Sequence, residues 1–456
     1  MKAPCKSVGS KGLLRPSRRG VLAMGGAAAT SLLSAPMVLG QSKPFAGVTL
    51  AGATYQHPFT DWLMDYIPEF EEDTGINVEI EVQSFPVYNQ RMDLELSTGG
   101  RTYDFCNITF IYTGRWIGSG WMMPLDDFLN DPNKTPADWD PKDFMEGPQG
   151  PLLDDEGRTY GFAWEAGAMM MGAARGDILD REGLAMPTTF DELLNVCKAT
   201  HDIDGVSAFV NDKLHHWNFI PYLMGYGGNV FESAPDNLMP MLDSNESIAA
   251  AEYYSGLLRD FGPAGVLSYT NDQAVRAQLT GRSNFRTQAI DWFTALDRRD
   301  DSEVRETARY APMPVGPAGD FAGSSTQGFG IPVGSPNPDA AWEFIKWAMS
   351  KETMKRLAVE KGYGTVSRRS VITDPEYRDG LMLNGFDVSD IFLNVLENIG
   401  KNGYMKYRTV SIFPQVGDKI NKAIESIVSG QMSAGDAMKQ AQSDAILDIR
   451  KAGIKI

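Results

Sequence analysis

The chain has 456 residues, which at roughly 150 residues per domain predicts two or three domains, each able to bury its own core. Hydrophobic residues make up 43% and charged residues 22%, which excludes a disordered chain and a small disulfide scaffold. Six of the 42 basic residues and none of the 59 acidic ones lie in the first 40 positions, which leaves a net charge of −23 on the remainder. A protein with so negative a charge repels nucleic acid and anionic lipid. Its charge favours a neutral or cationic small molecule, or a protein, as the binding partner.

Residues 1–40 have the pattern of a signal peptide, a basic stretch followed by an Ala/Gly-rich apolar run. Within the basic stretch Arg18 and Arg19 resemble the pair of the twin-arginine export motif, although two neighbouring positions depart from it. An ordinary Sec signal with two adjacent arginines is the alternative. Both routes predict a protein exported to the periplasm and soluble after cleavage. No later stretch of about 18 apolar residues occurs, so we expect no direct membrane insertion.

The first third after the leader alternates strand and helix patterns. Apolar residues at helical spacing predict a helix over 59–70 with a kink at Pro68. The predicted elements are strands at 48–51, 76–82 and 103–108 and helices at 59–70 and 88–96. This order predicts an α/β fold with a parallel sheet.

Helix signals dominate the rest of the chain. Thr189, with Glu192 three residues later, predicts a capped helix start, and Asn337 before Pro338 predicts another. The Gly/Pro-rich run 312–323 indicates a connection between domains, because such a run bends easily. The other predicted elements are helices at 247–261, 271–279, 415–428 and 437–452 and a strand at 328–333.

Catalytic motifs are missing from the sequence. It contains no H-E-x-x-H zinc motif, no G-x-S-x-G nucleophile motif, no phosphate-binding loop and no dinucleotide-binding glycine pattern, so we predict no metal and no cofactor. Two carboxylates suffice for a glycosidase, and motifs do not exclude that class. Cys106 and Cys197 are predicted to be separate buried thiols, with a disulfide bridge between them as the alternative.

Seven segments, in order across nearly all of the chain after the leader, resemble the bacterial extracellular solute-binding proteins of family 1. These are the maltose-binding-protein-like receptors of ABC sugar importers. The segments are 70–78 (FEEDTGINV), 96–105 (LSTGGRTYDF), 120–126 (GWMMPLD), 187–193 (PTTFDEL), 225–231 (GYGGNVF), 313–317 (MPVGP) and 330–344 (GIPVGSPNPDAAWEF). The chain departs from the family at 174–178, where the family has a Tyr-Asn pair. The preceding Met169–Met171 run is predicted to be a buried strand, with ligand contact as the alternative.

The resemblance implies a two-lobe periplasmic-binding-protein fold of the type II kind, with discontinuous lobes joined by crossing hinge strands. Lobe 1 is predicted at 44–163 plus 324–367 and lobe 2 at 164–323 plus 368–456. In this family the ligand binds between the lobes, and closure of the hinge buries it.

A sugar cleft needs aromatic platforms for C–H faces and planar polar groups for hydroxyls. That chemistry, together with loop positions typical of the family, nominates twelve ligand-binding residues. Core packing is the alternative for Phe110 and Trp217, a loop histidine for His57 and a surface ion pair for Arg408. The twelve are Tyr55, His57, Asn107, Phe110, Trp164, Glu165, Trp217, Asp291, Trp292, Gln327, Tyr363 and Arg408.

The sequence therefore predicts a monomeric receptor, not an enzyme. It would capture a sugar or polyol and deliver it to the membrane permease subunits of an ABC transporter. Two alternatives stay open. One is a receptor of the same fold for a polyamine or another cation, since Glu165 and Asp291 lie beside aromatic residues. The other is a secreted carbohydrate-active enzyme that uses two carboxylates.

Overall fold

The computed structural model describes residues 43–402 and 404–456. The predicted signal peptide, 1–40, lies outside these residues. Residues 45–456 form one compact unit of helices packed on a mixed sheet.

The first part of the fold alternates strands and helices, as predicted. Its elements are β1 (Thr49–Tyr55), α1 (Pro58–Met64), α2 (Ile67–Thr74), β2 (Asn77–Gln83), α3 (Phe85–Ser97), β3 (Phe105–Thr109), α4 (Thr113–Gly118), α5 (Asp126–Leu129) and α6 (Glu146–Gln149). The prediction of one helix kinked at Pro68 is wrong, because α1 and α2 are separate helices. Pro68 lies in the first turn of α2, where the missing N–H leaves no helical hydrogen bond unmade.

The middle part begins with the longest strand of the sheet and ends with a short strand that pairs with it. Its elements are β4 (Gly161–Ala173), α7 (Gly176–Glu182), α8 (Phe190–Thr200), β5 (Ser207–Phe209), α9 (His215–Asn218), α10 (Ile220–Gly225), β6 (Phe231–Ser233), β7 (Asn237–Pro240), α11 (Asn245–Phe261), α12 (Asn271–Leu279), β8 (Ser283–Ala289), α13 (Ile290–Arg298) and β9 (Arg309–Pro312). The predicted cap of α8 is confirmed, since the Thr189 side chain accepts a hydrogen bond from the Glu192 N–H.

The last part is mainly helical. Its elements are β10 (Ser324–Gly330), α14 (Pro338–Ala348), α15 (Lys351–Glu360), α16 (Arg369–Ile372), α17 (Pro375–Gly380), β11 (Met382–Leu383), β12 (Phe386–Asp387), α18 (Ser389–Asn402), α19 (Phe413–Val428) and α20 (Ala434–Lys451). The predicted strand at 328–333 begins and ends earlier. Asn337 precedes α14 as predicted, but its side chain does not cap the helix and donates instead to Asp104 Oδ1 at 3.1 Å.

Short 3-10 helices connect several of these elements. They are Ala137–Trp139, Pro141–Asp143, Gly150–Leu152, Ile203–Gly205, Val266–Ser268 and Tyr404–Arg408.

The main sheet has the strand order β2-β1-β3-β10-β4-β8-β5, with β9 also paired to β4. The predicted parallel pairing is confirmed for β1 with β2 and β3, while β10 runs antiparallel to β3 and β4. The strand β4 changes partners along its length. Its first part, to Ala168, pairs with β10, and its second part, from Met169, pairs with β8 and β9. This strand therefore joins the two halves of the sheet.

The interior confirms two predictions from the sequence. Cys106 and Cys197 are free thiols, each buried. Met169, Met170 and Met171 are buried within β4, as expected for a core strand. Among the described residues, no helix combines the length and the apolar character needed to cross a bilayer.

Candidate functional site

A cleft of about 580 Å³, here called the main compartment, lies where several strands of the sheet end. Tyr55 ends β1, Phe110 follows β3, Asp212 follows β5 and Gln288 lies at the end of β8. Strand β1 is parallel to β3, and β5 is parallel to β8, so each pair presents its carboxyl ends at one edge. Ligands of open α/β sheets bind at such edges, because the loops there are free to diverge. The topology thus marks this cleft as the candidate binding site.

A second cavity of about 530 Å³, here called the side compartment, lies beside the main compartment. Its walls come from α12, α13, the segment 361–364 and the start of α1. His57, Pro58 and Trp292 line both compartments. Trp292 is only partly buried, at the beginning of α13. The two compartments are therefore neighbouring parts of one cleft.

The twelve residues nominated from the sequence fall into three groups. Seven line the main compartment: Tyr55, His57, Phe110, Glu165, Trp217, Trp292 and Gln327. Asp291 and Tyr363 line the side compartment, together with His57 and Trp292. Asn107, Trp164 and Arg408 are fully buried and line neither compartment.

Trp164 belongs to a layer behind the cleft. Its exposed fraction is 0%, and its ring stacks on Phe59 with the ring centres 4.3 Å apart. Its indole N–H donates to Asn107 Oδ1 at 2.8 Å, and Asn107 in turn donates to Gln327 Oε1 at 3.3 Å. Trp164 and Asn107 therefore hold Gln327, which does line the main compartment.

Trp164 and Glu165 are neighbours in β4 and have different surroundings, as expected for consecutive strand residues, whose side chains point to opposite faces. The register with β10 is also irregular at this point. Opposite β10, the pairing passes from Gln327 with Glu165 to Gly328 with Ala163, so Trp164 is an extra residue in β4. Such a bulge changes the direction of the side chains beside it. In this structure Glu165 faces the main compartment.

Glu165, which is buried, and Asp291, whose side chain is 15% exposed, form an acidic pair at the cleft. Glu165 is 6% exposed, and its Oε1 accepts a hydrogen bond of 2.9 Å from the Ser325 hydroxyl. Burial, and then the nearby Asp291 carboxylate, raises the pKa of Glu165. Burial also raises the pKa of Asp291, whose Oδ1 has no hydrogen-bond partner in the described structure. A pair of this kind resists ionising twice, because neither charge is solvated.

His57 has a defined orientation at the start of α1. Its Nδ1 accepts a hydrogen bond of 3.1 Å from the Phe59 N–H, which caps the helix. The ring hydrogen is therefore on Nε2, which lies 3.9 Å from Asp291 Oδ2, too far for a direct hydrogen bond. Burial lowers the pKa of His57 to about 3, so the ring is neutral at physiological pH. His57 thus offers one N–H donor to the space beside Asp291.

A polar network that the sequence analysis missed forms the far side of the main compartment. Trp217 Nε1 donates to Gln288 Oε1 at 2.7 Å, and Gln288 Nε2 donates to Asp212 Oδ2 at 3.1 Å. Arg286, with no exposed surface, donates to the same Asp212 oxygen at 3.0 Å. The available signal was the position of Asp212 and Gln288 at the ends of β5 and β8, where polar residues are free to face a ligand.

Arg408 lies behind two aromatic residues of the main compartment. Its guanidinium carbon is 4.7 Å from the ring centre of Phe110 and 4.9 Å from that of Trp217. It also donates to the Tyr407 hydroxyl. Its two terminal nitrogens have no hydrogen-bond partner in the described structure. Arg408 is thus a buried cation held mainly by aromatic faces, and the surface ion pair considered from the sequence is wrong.

The cleft combines aromatic faces with hydrogen-bonding groups of both kinds. Phe110, Trp217 and Trp292 supply the faces, and Glu165, Asp212, Gln288 and Gln327 supply donors and acceptors. Over residues 43–402 and 404–456, no group of three or more His, Cys, Asp or Glu side chains is placed to hold a metal ion. The arrangement suits a small molecule with hydroxyl groups.

Two relatives whose names state the ligand that they bind match most of the chain. It is 22% identical to a mannitol-binding protein of Pseudomonas aeruginosa, over 80% of this chain and 85% of that protein. It is 24% identical to an erythritol/L-threitol-binding protein of Mycolicibacterium smegmatis, over 78% of this chain and 82% of that protein.

The fold and the family follow from two further comparisons. The structure resembles that of an ABC transporter solute-binding protein of Agrobacterium radiobacter in complex with ribitol, with a TM-score of 0.78. The sequences are 24% identical, and the match covers 88% of this chain and 99% of that one. The fold is thus the two-lobe α/β fold of the ABC solute-binding proteins. The sequence profile of the bacterial extracellular solute-binding proteins matches residues 56–355, and the chain therefore belongs to this family.

Proposed function

We propose that this chain is a receptor that binds a polyol or a sugar in its cleft and delivers it to the permease of an ABC transporter, without catalysis. The observation that carries the proposal is the composition of the main compartment. Partly or wholly buried aromatic rings lie beside carboxyl and amide side chains, and these match the C–H faces and the hydroxyls of a polyol. The names of the mannitol-binding and erythritol/L-threitol-binding relatives support the same ligand class.

The acidic pair suits a hydroxyl ligand. Because burial raises the pKa of both carboxyls, a state in which one of them is protonated offers both a donor and acceptors, and a hydroxyl group uses both. Asn107 and Trp164 then act from behind, through Gln327.

A cationic ligand such as a polyamine is the second candidate, and the same acidic pair favours it. An ammonium group beside Glu165 and Asp291 would stabilise both carboxylates in the charged form. Trp292 lies next to Asp291 and offers an aromatic face to the cation. For the third class, a carbohydrate-active enzyme, the test is product formation from oligosaccharides.

A screen by thermal unfolding separates the candidates in one experiment. The full chain without its leader is heated with mannitol, ribitol, erythritol, maltose, putrescine or spermidine. A ligand at 100 times its Kd adds about 2.7 kcal/mol to the free energy of unfolding and raises Tm. We expect a polyol or the sugar to raise Tm. A shift with the amines alone would replace the polyol proposal by the cation receptor.

The lobe boundaries, 44–163 plus 324–367 and 164–323 plus 368–456, are part of the proposal. The change of partners along β4 after Ala168, and the start of β10 at Ser324, support boundaries near these positions. Closure of the lobes would give the permease a surface found only in the loaded receptor. Small-angle scattering with a saturating polyol tests this, and an unchanged radius of gyration would contradict closure.

Export to the periplasm as a soluble monomer completes the proposal. The family consists of extracellular solute-binding proteins, and the twin-arginine-like pattern at 1–40 supports export. Fractionation of cells that express the whole chain tests the location.

A further inference from the structure

The side compartment differs chemically from the main compartment. Its walls are largely apolar, formed by Trp62, Val275, Leu279, Trp292 and Tyr363. Four cationic side chains also line it: Arg276, Arg298, Arg299 and Lys361. Two acidic residues oppose them, Asp272 and Asp291. Residues 41–456 carry a net charge of −23, so a cavity lined by more cationic than acidic side chains is unusual in this protein.

Two of these four cations are already paired. Arg299 forms hydrogen bonds of 2.8 and 2.7 Å with Asp301, and Lys361 lies 2.8 Å from Asp65 Oδ2. Arg276 and Arg298 have no carboxylate oxygen within 4 Å among the described residues. Their charges are therefore available to an anion that enters the compartment.

The backbone, and not an acidic side chain, holds Arg298 at this cavity. Its Nη1 donates to the Gly362 carbonyl at 3.2 Å. Gly362 has a φ of 74°, and a Cβ atom there would lie only 2.5 Å from Arg298 Nη1. The glycine thus leaves room for the guanidinium to lie against the chain. This contact positions Arg298 without neutralising it, which leaves further N–H donors for a ligand.

Asp291 opposes an anion less than its formal charge suggests. Burial raises the pKa of this carboxyl, so it carries less negative charge near neutral pH than an exposed aspartate. Asp272, Arg276 and Arg298 are all exposed, so solvent screens these three charges alike. Because the charge of Asp291 is reduced, the two arginines without a carboxylate partner outweigh the acidic groups that line this compartment.

We propose that the side compartment receives an anionic group, a phosphate or a carboxylate, at one end of a polyol or sugar whose hydroxyl chain lies in the main compartment. The inference rests on the proposed function, since it needs a polyol or sugar in the neighbouring space. The adjacency of the compartments supports it, because His57, Pro58 and Trp292 line both of them. The planar fork of an arginine matches the oxygen atoms of both anions.

Calorimetry with matched ligands tests the inference. D-mannitol, D-mannonate and D-mannitol 1-phosphate share a carbon chain and differ at one end. We expect one or both anionic ligands to bind about fivefold more tightly than mannitol at low salt, and the advantage to shrink at high salt. The carboxylate and phosphate arms show which anion is preferred. Ribitol and erythritol, each with its acid and its phosphate, extend the series to shorter chains.

The variants Arg276→Gln and Arg298→Gln remove one charge each from exposed side chains. Both should reduce the preference for the anionic ligand and leave the affinity for the neutral polyol unchanged. Arg282→Gln is the matched control, because Arg282 is also exposed but lines neither compartment. Unfolding without ligand shows that each variant is folded.

Three results would overturn the inference in different ways. If neutral polyols bind and their anionic partners bind no more tightly, the anion site is wrong while the proposed function stands. If no member of the three series binds and maltose does not bind either, the proposed function fails and the inference fails with it. An anion preference that survives in both the Arg276 and the Arg298 variants would also contradict the assignment to this compartment.

Discussion

Trp164 and Trp292 were equal candidates for ligand stacking from the sequence, and the regions around them differ in structure. The Trp164 layer consists of Phe59, Asn107, Trp164 and Gln327, in which ring faces stack and the indole N–H is paired. At the Trp292 ridge, formed by Asp291 and Trp292, the indole is partly exposed and a buried carboxylate oxygen has no partner in the described structure.

This contrast separates a supporting layer from a surface with unused interactions. In the Trp164 layer, packing and hydrogen bonds are already complete, so a substitution there changes mainly the free energy of unfolding. At the Trp292 ridge, the partly exposed ring surface remains for a ligand. The same residue type is thus expected to act on stability in one region and on affinity in the other.

The largest effect expected is that of Trp164→Ala on stability. Removing a fully buried indole leaves a cavity and takes the donor away from Asn107 Oδ1, so the free energy of unfolding should fall by about 3–5 kcal/mol. Trp292→Ala should cause a clearly smaller loss, because its ring is partly exposed. Urea unfolding of the two variants without ligand measures both. Equal losses in the free energy of unfolding would contradict the distinction between the Trp164 layer and the Trp292 ridge.

The next effect concerns affinity. Trp292→Ala should weaken binding of the polyol with the largest shift in the thermal screen by about 1–3 kcal/mol, a factor of roughly 5 to 150. Trp121→Ala is the matched control, a partly exposed tryptophan that lines neither compartment. Calorimetry on both variants is the measurement. Unchanged affinity in Trp292→Ala would remove this residue from the site.

The smallest effect expected is a pH-dependent gain in stability from Glu165→Gln. A carboxyl whose pKa is raised by folding binds more protons in the folded state, so its ionisation lowers stability as pH rises from the unfolded pKa through the raised value. Gln removes this ionisation and keeps an acceptor for the Ser325 hydroxyl.

The gain of Glu165→Gln over the wild type should therefore be on the order of 1–2 kcal/mol at pH 8 and smaller at pH 5. Buried histidines such as His57 titrate equally in both proteins, so their contribution cancels in the difference. Urea unfolding at the two pH values measures it. A difference that does not depend on pH would show that Glu165 is not part of a buried acidic pair.

Local patterns in the sequence were enough to predict many elements and the fold class. Thr189 caps α8 as predicted, and the parallel pairing of β1 with β2 and β3 follows from the β-α-β order. Signals of this kind depend on neighbours within a few residues, which a linear pattern records. Pro68 shows the limit of such signals, because proline is equally compatible with a kink and with the first turn of a new helix.

The sequence by itself determined the class of the fold, the family resemblance and an acidic body with few cysteines. Only the tertiary structure decided which side chains meet in the cleft. Glu165 and Asp291 are 126 positions apart, and their shared burial depends on how β4 packs beside the start of α13. The extra residue at Trp164 breaks the two-residue alternation of β4, and the position of a bulge depends on pairing with β10. Consecutive residues of a strand face opposite sides of the sheet, so the linear pattern separates Trp164 from Glu165, and only the packed sheet decided which of the two lines the cleft.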